Sequence, residues 1–236
     1  MEGVTPWGRW RHNRAMAEQV PDVPELPPLD LPQASMRARL ILRQKGGVPA
    51  DLAADRRYLW GYVHLTRLVD KAIREYNAAR EAGQKFGQPT AESYTLEEAA
   101  TMTPYLLRAC DHLESCVDAT HGAAEAAKSL RDAGVGTQAP SPDTESVRRL
   151  TEIRHAVQHT NQRLIDTDSL WPGRRPFGPD DPYGISPRKD HLVIGAEDPL
   201  TYAALVELIE TLYRTSELIG DRATLGSLLG SFDVSS

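Results

Sequence analysis

The sequence contains little cysteine, few aromatic residues and no long apolar run. Its two cysteines, Cys110 and Cys116, would lie roughly 9 Å apart along one helix, which is too far for a disulfide bond. We therefore expect reduced, buried thiols in a cytoplasmic protein. No apolar run approaches the roughly 18 residues of a membrane span, and the N-terminus has no signal-peptide core. Neither a membrane protein nor a secreted one is expected.

An excess of basic residues is also missing. The 236 residues carry a formal net charge of −6, which argues against a general nucleic-acid coat protein because such proteins are strongly basic. A local basic cleft remains compatible with that charge. The length suits one good-sized domain with extensions, or two small domains.

Residues 1–50 are predicted to form a proline-rich N-terminal arm and lead-in. Six prolines fall within residues 1–33, and the stretch "VPDVPELPPLDLP" cannot sustain a helix, so it predicts an extended segment. The first part of the arm mixes tryptophan with arginine, at Trp7, Trp10, Arg9, Arg11 and Arg14. These side chains suit stacking on nucleic-acid bases. The alternative is an arm that packs on the domain surface or is disordered.

Residues 51–236 are predicted to form an all-α, antiparallel bundle of four main helices. Apolar residues recur at spacings of three and four, which is the period of an amphipathic helix. The helices are expected over about 51–83, 95–134 with a restart or kink at Pro104, 143–166, and from 198 to about 220, with at most a short helix afterwards. Their expected core residues are Leu59, Tyr62, Leu65, Val69, Ile73, Tyr76, Leu106, Cys110, Leu113, Val117, Ala124, Tyr202, Leu205, Ile209, Leu212 and Ile219.

A long irregular loop is expected over 167–197, which contains five prolines and four glycines. Such a loop inside a compact domain is usually functional or disordered. No strand pattern of convincing length and no internal repeat is present.

The third predicted helix contains "TEIRHAVQHTNQRLI", residues 151–165. At about 100° per residue, its apolar side chains fall within one arc that faces the core. Arg154 and Asn161 project at the edge of that arc, where an arginine needs a partner or a water-filled cleft. Glu152, His155 and His159 lie together on the opposite side.

Three interpretations of this polar face remain open. In the first, the histidines are exposed and Arg154 makes a structural ion pair. In the second, Glu152, His155 and His159 bind zinc or iron. A di-metal site in a bundle would need a second Glu-x-x-His on another helix, which the stretch "CDHLESC" does not supply. We therefore predict no metal and no other cofactor.

The third interpretation is a resemblance to a family. "RHAVQH", residues 154–159, fits the pattern R-[NHD]-x-x-x-H and resembles the signature of HEPN (higher eukaryotes and prokaryotes nucleotide-binding) domains. The motif lies on the third long helix, and a variable loop and a final amphipathic helix follow it, as in that family. As an architecture, the resemblance spans about residues 50–220.

The resemblance implies a metal-independent endoribonuclease, a hydrolase of toxin–antitoxin, abortive-infection or phage-defence systems, with one active site formed across a homodimer. Arg154 and His159 would be the catalytic pair, and His155 the intervening polar residue. An antitoxin or operon partner protein is then expected. Asn161 occupies the place of a tyrosine found in toxins that a nucleotidyltransferase silences, so this mode of control is not implied.

The chemistry suits these residue types. Attack by the 2′-hydroxyl of RNA on the adjacent phosphate needs a base, an acid and a cationic donor, and histidine and arginine supply them. A track of basic residues is expected to bind the RNA phosphates: Arg148, Arg149, Arg163, Arg174 and Arg175, with Arg188 and Lys189 nearby. The alternative for this track is a solvated surface. The main rival function is a non-catalytic HEPN-like module that binds a nucleotide or a protein, and a buried Arg154 paired to a carboxylate would favour it.

Overall fold

The fold is given by a computed structural model of the chain. The structure describes residues 24–36, 38–39, 56–86, 96–165, 186–193 and 199–230, and for residues 96–99, 156–165, 186–187, 193 and 221–230 the description is limited to the backbone. Its elements are α1 (Arg56–Phe86), α2 (Leu96–Asp132), α3 (Thr144–Ile165), β1 (Ser186–Pro187), β2 (His191–Val193), β3 (Leu200–Thr201) and α4 (Tyr202–Gly230).

The described part of the chain is mostly helical, which confirms the predicted all-α class. Its four long helices correspond to the four predicted from apolar periodicity. Two of them differ from the prediction. α2 continues without interruption through Pro104, and α4 continues past Gly220 to Gly230. One proline or glycine costs a helix only a few kcal/mol at most, about 3 for proline and about 1 for glycine, so good helix formers on both sides outweigh it.

The first two helices form a long antiparallel hairpin with close backbone approach. A Cβ atom on Gly61 would lie 3.0 Å from Leu130, and one on Gly122 would lie 3.1 Å from Leu68. Residues later in α1 therefore contact residues earlier in α2, as expected for antiparallel helices. Glycine at both crossing points lets a leucine of the partner helix pack against the bare backbone.

A glycine-rich turn connects α2 to α3. The backbone N–H of Val135 donates to the carbonyl of Leu130, and that of Gly134 donates to the carbonyl of Arg131. This is the Schellman pattern, and Gly134 has the left-handed φ of +85° that it requires. Asp143 then begins α3, because its carboxylate accepts the backbone N–H of Ser146 at 2.8 Å.

The core lies between the helices, largely at the predicted positions. Thirteen of the predicted core residues are buried, namely Tyr62, Leu65, Val69, Ile73, Tyr76, Leu113, Val117, Ala124, Tyr202, Leu205, Ile209, Leu212 and Ile219. Leu59, Leu106 and Cys110 are only half-buried. On α3, Leu150 and Ile153 face the core as expected.

Residues 24–33 form an extended strap that packs along α1. Leu26 and Leu29 of the strap are buried, so this stretch of the predicted arm belongs to the core. Three side chains of α1 hold it: Tyr76 donates to the carbonyl of Pro27, Asn77 to that of Leu29 and Arg80 to that of Leu26. The arm's tryptophans and arginines at residues 7–14 lie outside the described residues.

A small antiparallel sheet, ordered β1-β2-β3, occupies the end of the predicted irregular loop and the first residues of the fourth predicted helix, which begins at Tyr202 instead of 198. Leu192 pairs with Leu200, and both side chains are fully buried. Strands of two or three residues are too short for an alternating pattern to reveal them. The turn between β1 and β2 also meets the strap, because the N–H of Glu25 donates to the carbonyl of Lys189 at 2.7 Å. In the part of the chain that the structure describes, no helix is long and apolar enough to cross a membrane.

Candidate functional site

The motif arginine lies at the interface between α2 and α3. Arg154 is 29% exposed, and its Nε donates to Oδ1 of Asp118 at 3.0 Å. The predicted position at the edge of the apolar arc, with a polar partner, is confirmed. The side chain is therefore partly open to solvent as well as paired.

A buried histidine lies within range of the charge of Arg154. His121 of α2 is 8% exposed, and burial lowers its pKa, with a further decrease from the positive charge of Arg154. His155 lowers the same pKa, whereas Glu125 and Asp118 raise it. A histidine of lowered pKa is neutral at pH 7, so it can accept a proton. The interface thus holds Arg154, His121 and His155 close enough for their charges to interact.

The other motif residues are placed only in part. Glu152 and His155 are exposed, as predicted for the face opposite the core. His159 follows one helical turn after His155 on the described backbone of α3, but its side chain lies outside the described set, as does that of Asn161. The pairing of Arg154 with His159 therefore stays a prediction.

The arginines at the start of α3 are engaged with carboxylates of the same helix. Arg148 pairs with Glu145 and Glu152, and Arg149 pairs with Glu145 and also donates to the carbonyl of Pro199. Hydrogen bonds from both arginines lower the pKa of Glu145 to about 2. This surface is a mixed network of both charges, so the two arginines are weaker support for a phosphate track than the sequence suggests.

The rest of the predicted RNA track is described only at its end. The Arg163 side chain and all of Arg174 and Arg175 lie outside the described residues. Arg188 and Lys189 occupy the turn between β1 and β2, and both are exposed. Lys189 lies 3.4 Å from the carboxylate of Glu25.

The metal alternative gains no support from the described side chains. Among them, no group of three or more His, Cys, Asp and Glu residues is arranged to hold a metal ion. Because the His159 side chain is not described, the set of Glu152, His155 and His159 stays untested. Cys110 and Cys116 are free thiols, and burial raises their pKa values to about 11 and about 12. Neither thiol is therefore a reactive nucleophile at neutral pH.

The residues at the α2–α3 interface form a cluster of Arg154, His155, Asp118 and His121. The sequence analysis does not identify Asp118 or His121. They belong to "DATHGAAE" on α2, where Asp118, His121 and Glu125 recur at spacings of three and four. That spacing places three ionisable groups on one helix face beside apolar core positions. Polar periodicity on the helix opposite the motif is the signal that indicates them.

No family model matches this sequence, no curated protein is significantly similar to it, and no solved structure matches it.

Proposed function

We propose that this protein is a metal-independent endoribonuclease of the HEPN type, which acts in the cytoplasm in a toxin, abortive-infection or phage-defence system. The observation that carries the proposal is the cluster at the α2–α3 interface. There a partly exposed Arg154 lies beside His121, whose pKa is lowered, and His155. Arginine together with neutral histidine is the set of groups that RNA cleavage needs without a metal.

The RNA and these side chains account for every proton and bond in the proposed reaction. The 2′-oxygen attacks the adjacent phosphorus and gives its proton to a neutral imidazole, while the bond from phosphorus to the 5′-oxygen breaks. A protonated imidazole gives a proton to the leaving 5′-oxygen. The guanidinium of Arg154 donates to the phosphorane oxygens, where negative charge accumulates. We assign one of the two proton-transfer roles to His159.

The proposal includes a homodimer. One protomer supplies a single set of Arg154 and His159, and a composite cleft between two copies would supply the second set and the second proton-transfer group. The expected partners are RNA, a second copy of the chain and an antitoxin or operon protein.

The test is cleavage of a generic RNA by purified protein, with and without excess EDTA. His159→Ala should abolish cleavage, because general acid–base catalysis contributes about 10²–10⁴-fold. Arg154→Ala should cause a similar loss, and His155→Ala a smaller one. EDTA should have no effect. Arg214→Ala is the matched control, because Arg214 is an exposed arginine paired to a carboxylate of its own helix.

Other outcomes contradict the proposal. If EDTA abolishes cleavage, and if His155 and His159 matter equally while Arg154 hardly matters, the metal alternative is correct. If the wild type cleaves no RNA, the protein is not a ribonuclease.

The ion pair between Arg154 and Asp118 favours a second candidate function, a non-catalytic HEPN-like module that binds a nucleotide or a protein partner. In that case Asp118 is the structural partner that an arginine at a helix interface requires. Wild-type protein would bind nucleotide or protein without cleaving RNA, and Arg154→Ala would change only the stability.

A further inference from the structure

The solvent face of α1 carries a continuous basic stripe, which we define as Arg57, Trp60, His64, Arg67 and Lys71. These residues are spaced by three and four along the helix, so they fall within an arc of about 80°. The buried residues of α1 lie on the opposite side. The stripe is about 21 Å long at 1.5 Å per residue. It is not part of the proposed active site.

The stripe is basic although the chain is acidic overall. Residues 56–69 contain no aspartate or glutamate. Within the described part of the chain, His64, Arg67 and Lys71 form no ion pair. The first carboxylate on α1, Asp70, accepts the backbone N–H groups of Ala34 and Ser35 at 2.6 and 3.1 Å. The helix itself therefore carries no carboxylate before Asp70, and positive charge accumulates along this face.

Trp60 adds a second kind of contact. Its side chain is 61% exposed, the largest exposed fraction among the large apolar residues in the described part of the chain. An indole placed between cations is a surface on which an unstacked base can lie, while the cations bind the flanking phosphates. In a duplex the bases are already stacked on one another, so their faces are not available to Trp60.

We propose that the basic stripe binds single-stranded nucleic acid. Arg57, Arg67 and Lys71 contact phosphates along the strand, and Trp60 stacks on one base. Charge complementarity selects a polyanion, and the exposed indole selects one that has free aromatic faces. The stripe makes no contact with sequence-specific base edges, so binding depends on salt and little on sequence. This proposal does not require that the protein cleaves RNA.

The test measures binding of a short fluorescein-labelled oligouridine to the full chain by fluorescence anisotropy. Trp60→Ala should weaken binding roughly tenfold, which is the usual effect of one lost stacking contact. Arg67→Glu with Lys71→Glu should weaken it further and reduce the slope of log K against log salt by about 1.4, at about 0.7 per phosphate contact.

The matched control is Lys85→Glu with Arg214→Glu. Both residues are exposed cations that pair with a carboxylate of their own helix, and the change in net charge is the same. Circular dichroism and thermal unfolding show whether each variant is folded. If Arg67→Glu with Lys71→Glu is unfolded, Arg67→Gln with Lys71→Gln takes its place.

Four results would overturn the proposal: no binding by the wild type at low salt, equal losses in stripe and control variants, no effect of Trp60→Ala, or equal binding of a duplex. Binding to phosphatidylserine vesicles without binding to oligouridine would assign the stripe to a membrane surface instead.

Discussion

At the scale of single residues, His121 should make stability depend on pH. Burial and the charge of Arg154 lower its pKa in the folded chain, whereas the unfolded chain has a value near about 6.5. Between these two values the unfolded state binds more protons, so the free energy of unfolding falls as the pH decreases through about 6.5. Urea unfolding between neutral and mildly acidic pH measures this slope.

His121→Gln should flatten that slope, because glutamine cannot titrate. The control is His64→Gln, which changes an exposed histidine outside the cluster and should keep the wild-type slope. An unchanged slope in His121→Gln would show that other groups cause the pH dependence.

The ion pair of Arg154 with Asp118 should contribute little to stability. Asp118 is 55% exposed, and pairs exposed to solvent typically contribute less than about 1 kcal/mol. A double-mutant cycle with Arg154→Ala and Asp118→Ala should give a coupling below that value. A coupling of about 3 kcal/mol would mean that Arg154 is a buried structural residue, in conflict with the proposed catalytic role.

The helical period predicts where Arg154 lies, but it does not predict what Arg154 contacts. The position at the edge of the apolar arc follows from the spacing of Leu150 and Ile153 on the same helix. The ion pair with Asp118 and the electrostatic effect on His121 depend on which turn of α2 lies opposite, and no pattern within α3 encodes that register. The sequence therefore predicts the residues of the cluster on α3 and misses those on α2.

At the scale of elements, replacing Gly136 in the turn between α2 and α3 should lower the stability of the protein. This residue has a φ of +69°, and a Cβ atom there would lie 2.6 Å from Cγ1 of Ile219 on α4. Gly136→Ala should therefore cost more than the roughly 1 kcal/mol of left-handed backbone strain alone. Chemical denaturation measures the cost.

Gly134→Ala is the control for this prediction. Gly134 also has a positive φ, but a Cβ atom there would have no neighbour within 4 Å. The difference in unfolding free energy between the two variants measures the effect of the contact with Ile219. Equal destabilisation would show that α4 moves aside at no cost.

Long helices are predicted well because their apolar pattern repeats over many helical turns. α1 and the first part of α4 show five or more apolar positions at helical spacing, and the structure buries nearly all of them. β1 and β3 contain two residues each, so no repeat exists to detect. The strap at 24–33 is predicted as extended, but its attachment to α1 depends on backbone carbonyls, which carry no residue-specific signal.

At the scale of the whole molecule, we expect a homodimer if the composite active site exists. Light scattering at micromolar concentration should give twice the chain mass of 26.1 kDa. A strict monomer would remove the composite site. A dimer that is lost in Arg154→Ala would place the arginine close to the interface between the two copies.

The contact between the strap and the β1–β2 turn has a consequence for synthesis on the ribosome. Glu25 leaves the exit tunnel early, whereas its partner Lys189 emerges only after α3 is complete. The hairpin of α1 and α2 lies within residues 56–132, so it can form before Lys189 emerges, with Leu26 and Leu29 already packed on α1. The end of the strap at Glu25 must wait for the turn, so its hydrogen bond to Lys189 forms after the contacts that hold Leu26 and Leu29 on α1.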